Sequence, residues 1–325
     1  MNALPRSRTS PALAGFFVCI SLWLVGCATP QVGGLEAQWP ADLPQQAMVS
    51  NVPFFPQEDY ECGPASLAMV LQTAGLAVQP EQLVEQVYVP GRKGTLQTEL
   101  LAASRRHGLP AYVLQPTVET VLREVAAGNP VLVFQNLSLP VYPVWHYAVV
   151  IGFDRARNVL VLHSGRTERL EMSLFAFERT WARGGYCAMV ALAPPRLPAT
   201  AQPTGYAQAV AALERVQVAP ARAAYGAALR QWPTDRVLML GAGNTAYAMG
   251  DLPAAASAYR AAVQADPDFA DGWNNLAQVL LDQRQPREAL VAVRKAIALG
   301  GPRLSAYQAL QHTIDTAKIN SKKSL

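Results

Sequence analysis

Charge is scarce in this 325-residue chain: Asp, Glu, Lys and Arg make up 15% of it, against about 25% in ordinary globular domains. Apolar residues reach 51%, a balance that folds rather than staying disordered. Lys and Arg number 27 against 23 acidic residues, with no basic run longer than two residues. The electrostatic footprint of a nucleic-acid binder is therefore missing. Four cysteines are too few for a disulfide scaffold. Neither a G-x-x-x-x-G-K-[ST] loop nor a G-x-G-x-x-G turn is present, so no nucleotide and no cofactor is expected. No H-x-x-x-H, C-x-x-C or carboxylate cluster stands at metal-ligand spacing. Gly and Pro, 22 and 25 residues, show no collagen-like period.

The start of the chain reads as an address. Arg6 and Arg8 precede an apolar run from about Ala12 to Val25, and the first 26 residues hold no Asp or Glu. The run is too short for a comfortable membrane span and fits a processed leader. It ends in Leu24-Val25-Gly26-Cys27, which resembles a bacterial lipobox. By that resemblance residues 1–26 are a signal peptide and Cys27 takes the lipid. Ala28, in place of Asp, implies the periplasmic face of the outer membrane. An ordinary signal anchor with an idle cysteine is the alternative.

Residues 27–47 show no helical or strand period and read as a Pro- and Gly-containing linker from the anchor. A dense mixed region, 48–193, is closed by the Pro-rich stretch 194–203, read as a second linker. Beyond it, 204–318 turns Ala-rich and repeats with a period of 34 residues, leaving a tail at 319–325. Arg236–Phe269 carries Ala255, Tyr259, Ala262 and Pro267 at tetratricopeptide spacings. Ala270–Arg303 repeats them with Trp273, Leu276, Ala277, Ala289 and Ala296, and a weaker unit precedes with Ala221, Tyr225, Ala228 and Pro233. Small residues at a close helix crossing, with one large aromatic above, are the packing rule of such repeats. They do no chemistry and imply a protein or peptide partner; a generic Ala-rich helical bundle is the alternative.

The chemistry is in the middle region. Cys62-Gly63-Pro64 opens a helical apolar pattern that runs through Leu71. A cysteine at a helix N-terminus meets unpaired N–H groups and the positive end of the dipole, so the Cys62 thiol is expected below its ordinary value of about 8.5. Gly63 is expected to allow a tight turn. Gln57, five residues before Cys62, is placed to offer its amide N–H to an oxyanion, or is simply a polar loop residue. Glu58, Asp59 and Glu61 read as solvated charges or as selectors of basic substrate residues.

Of four histidines, His107 sits where a helix ends and His312 lies in the last helix without polar company. His146 opens the β-branched run Trp145–Phe153, a central strand. A polar residue there suits a general base at a cleft, or a structural histidine. Cys187 reads as a core thiol, with a disulfide to Cys62 as the alternative.

Gln57, Cys62-Gly63-Pro64 and His146-Tyr147-Ala148-Val149-Val150-Ile151-Gly152, in that order, resemble the bacteriocin-processing, double-glycine-type cysteine peptidases, a papain-like family. The likeness spans about Pro53 to Leu192, and is greatest to lipoprotein members carrying tetratricopeptide repeats. It implies Cys62 as nucleophile, His146 as general base and Gln57 as oxyanion donor. The family usually has an Asp shortly after the histidine strand; here the strand Val159–Leu162 runs into His163-Ser164-Gly165. His163 and Ser164 are the candidate third members, neither matching a carboxylate's effect on an imidazolium. Asp154 is a poor substitute, because eight extended residues set it roughly 26 Å from His146.

Helices come first and strands later, so the expected fold is an α+β papain-like cysteine peptidase domain followed by an all-α tetratricopeptide domain. The expected function is a lipid-anchored periplasmic peptidase acting on a peptide or protein substrate through a Cys–His dyad or triad. The alternatives are an inactive papain-like adaptor working through its repeats, and an acyltransferase of the same fold.

Overall fold

The computed structural model describes residues 29–57 and 61–323; the leader, Cys27, and Glu58 to Tyr60 lie outside the described residues. The chain begins with helix α1 (Pro30–Ala37) and strand β1 (Gln46–Met48). Helices α2 (Cys62–Thr73) and α3 (Pro80–Val87) follow, then a small hairpin of β2 (Tyr88–Val89) and β3 (Gly94–Thr95). Next come α4 (Gln97–Arg106), β4 (Ala111–Val113), α5 (Val118–Ala126), β5 (Val131–Asn136), β6 (Trp145–Asp154), β7 (Val159–Ser164), β8 (Thr167–Ser173), α6 (Leu174–Arg183) and β9 (Ala188–Ala191). One antiparallel sheet has the order β4-β9-β5-β6-β7-β8, with β1 also paired to β6.

The sheet is covered on both faces, and alternation along β6 divides the two cores. Tyr147, Val149 and Ile151 point to the side of α2, α3 and α4, where Leu67, Leu71, Leu83 and Leu100 complete one core. Ala148 and Val150 point to the other, with α5, α6 and Leu160, Phe177 and Trp181. Helix α2 is apolar nearly all round and buried from Gly63 to Leu71, which fixes its N-terminal residue over one end of the sheet.

The repeat region forms helices α7 (Pro203–Glu214), α8 (Val218–Gln231), α9 (Arg236–Ala248), α10 (Leu252–Ala265), α11 (Ala270–Asp282), α12 (Pro286–Leu299) and α13 (Leu304–Lys323). This is three helical pairs and a closing helix, which continues past its expected end at 318. Tyr225 and Tyr259 lie against Gly241 and Gly243, where an added Cβ would stand 2.2 and 2.3 Å from the rings. The first pair shares a core with the large sheet: Tyr206, Val210 and Leu213 pack in one cluster with Val133 and Val190.

Two segments expected as linkers are structured. In 27–47, α1 buries Val32 and Leu35, and β1 pairs with the far end of β6. Gly33-Gly34 gives this helix poor intrinsic propensity. It is held from outside, by the carboxylate of fully buried Glu178, which accepts from the N–H groups of Gln31 at 3.1 Å and Val32 at 2.8 Å. In 194–203, fully buried Glu124 accepts from the N–H groups of Ala199 at 3.2 Å and Thr200 at 2.7 Å, and from Asn129 Nδ2 at 2.7 Å. Each carboxylate thus pins a flanking segment to the domain.

Candidate active site

Cys62 is the first residue of α2, and His146 is the second residue of β6. Both open into one cleft of about 780 Å³, together with Gln57, Thr95, Trp145 and Gly165. The backbone N–H groups of Tyr147, the residue after His146, and of Gly63 and Cys62 act on the sulfur in the direction that favours a thiolate.

The N–H groups do act in the expected direction on the thiol, but burial is the larger effect and pushes Cys62 above its ordinary value. The helix terminus does favour the thiolate, but desolvation penalises it more. Burial also depresses His146, down to about 4. Burial thus favours a protonated thiol and a neutral imidazole.

His146 Nε2 lies 2.9 Å from Ser164 Oγ. His163, the other candidate beside it, is turned away: its Nε2–H donates to Val52 O at 3.2 Å, its Nδ1 accepts from Arg169 N at 3.2 Å, and its ring packs on Phe54. Alternation along β7 separates the two, leaving His163 with both ring nitrogens engaged.

Gln57 is buried at the back of the cleft. Its Oε1 accepts from Gly165 N at 3.2 Å, its backbone N–H donates to Gly165 O at 3.0 Å, and its Nε2 donates to Ser66 Oγ at 3.2 Å. Because Gly165 N–H is a donor, the amide oxygen must face it, so the NH₂ group faces α2. Ser66, four residues after Cys62 on the same helical face, was legible by spacing; Gly165 was not.

Gly63 serves close approach rather than a turn. Its helical Cα faces Thr95, and a Cβ there would stand 2.3 Å from Thr95 Oγ1. Tyr147 OH donates to Thr95 O at 3.1 Å, so the β2–β3 hairpin is strapped over the start of α2. His107 is the C-cap residue of α4. Asp154 is at the opposite end of β6 from His146. Cys187, immediately before β9, is half-buried, and both it and Cys62 are free thiols. Among the described residues no cluster of three or more His, Cys, Asp or Glu stands together.

Residues 49–189 match the model of the Peptidase_C39 like family, and residues 243–283 match that of a TPR repeat. A solved structure of a putative C39-like peptidase from Bacillus anthracis is 20% identical, over 46% of this chain and 98% of that one, with a TM-score of 0.39. The type III secretion chaperone SycD of Yersinia enterocolitica, solved with a peptide of the translocator YopD, is 20% identical over 35% of this chain and 91% of that one, at a TM-score of 0.33. The Sgt2 TPR domain from Aspergillus fumigatus is 21% identical over 36% of this chain and 79% of that one, at 0.34. No curated protein matches the sequence. The α+β sheet domain, with its family match over 49–189, resembles a C39-like peptidase, and a helical tetratricopeptide-repeat region follows it.

Proposed function

We propose that the protein is a cysteine peptidase that hydrolyses peptide bonds through Cys62 and His146. The observation that carries this reading is the opening of a helix-terminal thiol, an imidazole and an oriented glutamine amide into one cleft. With His146 Nε2–H donated to Ser164 Oγ, Nδ1 is bare and free to act as a base. Cys62 Sγ attacks the substrate carbonyl carbon as its proton passes to Nδ1. The oxyanion is held by the Cys62 backbone N–H, which has no partner within its helix, and by the NH₂ of Gln57. Collapse expels the amine, which takes the proton from His146, and leaves a thioester. Water then attacks the thioester carbon, gives a proton to Nδ1, and the acid departs as the thiol is restored. Because the resting pair is neutral, proton transfer accompanies attack rather than preceding it. The test is cleavage of a peptide library by wild type and Cys62→Ala; equal turnover by both would end the proposal.

The adaptor reading has one observation in its favour: Ser164, not a carboxylate, holds His146. An adaptor retains a thiol whose alkylation is indifferent to His146→Ala.

The repeats supply a partner surface in this reading. A groove of about 520 Å³ between α9, α11 and α13 is lined by Asn244, Asn274, Asn275, Gln278, Tyr247 and Tyr259. These groups suit the main-chain amides of a bound peptide. Their test is loss of partner capture in Asn244→Ala/Asn275→Ala.

We propose, further, that Cys27 is lipidated at the outer membrane. With α1 starting at Pro30 and pinned by Glu178, only Ala28 and Thr29 separate anchor from body, a reach of roughly 10 Å. Mass spectrometry of the mature N-terminus decides this; an unmodified Cys27 would refute it.

A further inference from the structure

The cleft has two walls of different chemistry, and each wall is built. One is the β2–β3 hairpin, paired Tyr88 with Thr95 and Val89 with Gly94, its carbonyl at Thr95 held by Tyr147 and its tip turned by Lys93 in the left-handed region at φ 48°. The tip presents Arg92 and Lys93, the charged residues lining the cleft among the described residues. Glu61 is exposed and stands outside that lining.

The other wall is the β5–β6 connection. Buried Asn136 accepts from Ser138 N and Val144 N, both at 3.0 Å, and Leu137 N donates to Val144 O at 2.9 Å. This frame holds large apolar side chains out in water: Leu139 is 64% exposed, Val141 88%, Tyr142 78% and Trp145 52%. Trp145 lies stacked on Phe134 with ring centroids 5.2 Å apart, and Trp145, Phe134 and Val144 line the cleft beside His146. Several large apolar side chains held exposed on one framed loop beside a cleft suit a binding surface.

The geometry points to a substrate class: an extended peptide segment in which a carboxylate side chain stands near large apolar ones, the carboxylate met by Arg92 and Lys93 and the apolar groups by Trp145 and the loop above it. Among the described residues lining the cleft the charge is that of two cations, which favours this occupant over a basic peptide. The inference rests on the peptidase reading for the cleft's purpose, but its test does not require turnover.

The experiment measures binding of three fluorescent peptide pools by the full chain carrying Cys62→Ala. All pools contain Leu, Phe and Trp; they differ in carrying Asp and Glu, Asn and Gln, or Lys and Arg. The acidic pool should bind about fivefold tighter than the amide pool at low salt, with the gap narrowing as salt rises. In Arg92→Glu/Lys93→Glu the order of acidic and basic pools should invert, and Trp145→Ala should weaken all three. Equal affinity of acidic and amide pools, absence of binding included, preference for the basic pool, or an order unmoved by charge reversal would overturn the inference. Wild-type cleavage of the same pools is read separately. Acidic preference in binding without any cleavage strikes the peptidase reading alone; cleavage with no charge preference in binding strikes this one alone.

Discussion

Ser164 Oγ holds His146 Nε2 at 2.9 Å from the neighbouring strand, occupying the place where a carboxylate would stabilise an imidazolium. A hydroxyl orients the ring but, able to donate as well as accept, selects no tautomer and adds no charge. Ser164→Ala should therefore lower kcat/KM by about tenfold, with KM little changed, through loss of orientation. Ser164→Asp should raise the His146 pKa and shift the acid limb of the pH–rate profile to higher pH. Unchanged profiles in both variants would show that this contact plays no part.

The neutral dyad has a pH signature. Burial lowers His146 from 6.5 to about 4. Between these values the unfolded chain binds a proton that the folded one refuses. Stability from this group is therefore complete above pH 6.5 and lost as pH falls toward 4, by roughly 3 kcal/mol in all. Urea unfolding across that range checks it: the midpoint should fall with pH less steeply in His146→Gln. Alkylation of Cys62, raised by burial, should climb into the alkaline range rather than plateau at neutral pH.

Thr95 packs where a Gly63 side chain would stand, 2.3 Å from the added Cβ. Gly63→Ala should cost about 1–3 kcal/mol by overpacking. It should also displace the hairpin that bears Arg92 and Lys93. Thermal unfolding measures the first effect; partial recovery in Gly63→Ala/Thr95→Ala separates sterics from backbone effects.

Glu124 and Glu178 each satisfy backbone N–H groups of a segment flanking the domain. Glu178→Ala should release α1 and Glu124→Ala should release residues 194–203, each at roughly 3 kcal/mol. Hydrogen exchange localises the effect: protection should fall at Gln31 and Val32 in the first variant and at Thr200 in the second.

The sequence carried the elements that pay for themselves locally. The Cys62–Leu71 apolar helix, the β-branched run after His146 and the 34-residue repeat all announce their partners by periodicity, and the structure has them within a residue or two. What was illegible depends on distant partners. Helix α1 has two glycines and is stabilised by Glu178, 146 residues from Val32. Strand β1 is three residues long and lies against Gly152, where a Cβ would stand 2.7 Å from Met48. At the site, motif order named Cys62, His146 and Gln57. Choosing Ser164 over His163 needed the register of β7, since adjacent residues face opposite sides. The depressed thiol expected from the helix terminus failed because burial depth is not written in a local motif.

The central claim is that His146 activates Cys62, and an electrophilic peptide probe with mass-spectrometric site mapping tests it most directly. The account predicts one adduct, on Cys62, with Cys187 unmodified and labelling reduced at least about tenfold in His146→Ala. Equal labelling of Cys62 and Cys187, or a rate untouched by His146→Ala, would contradict it.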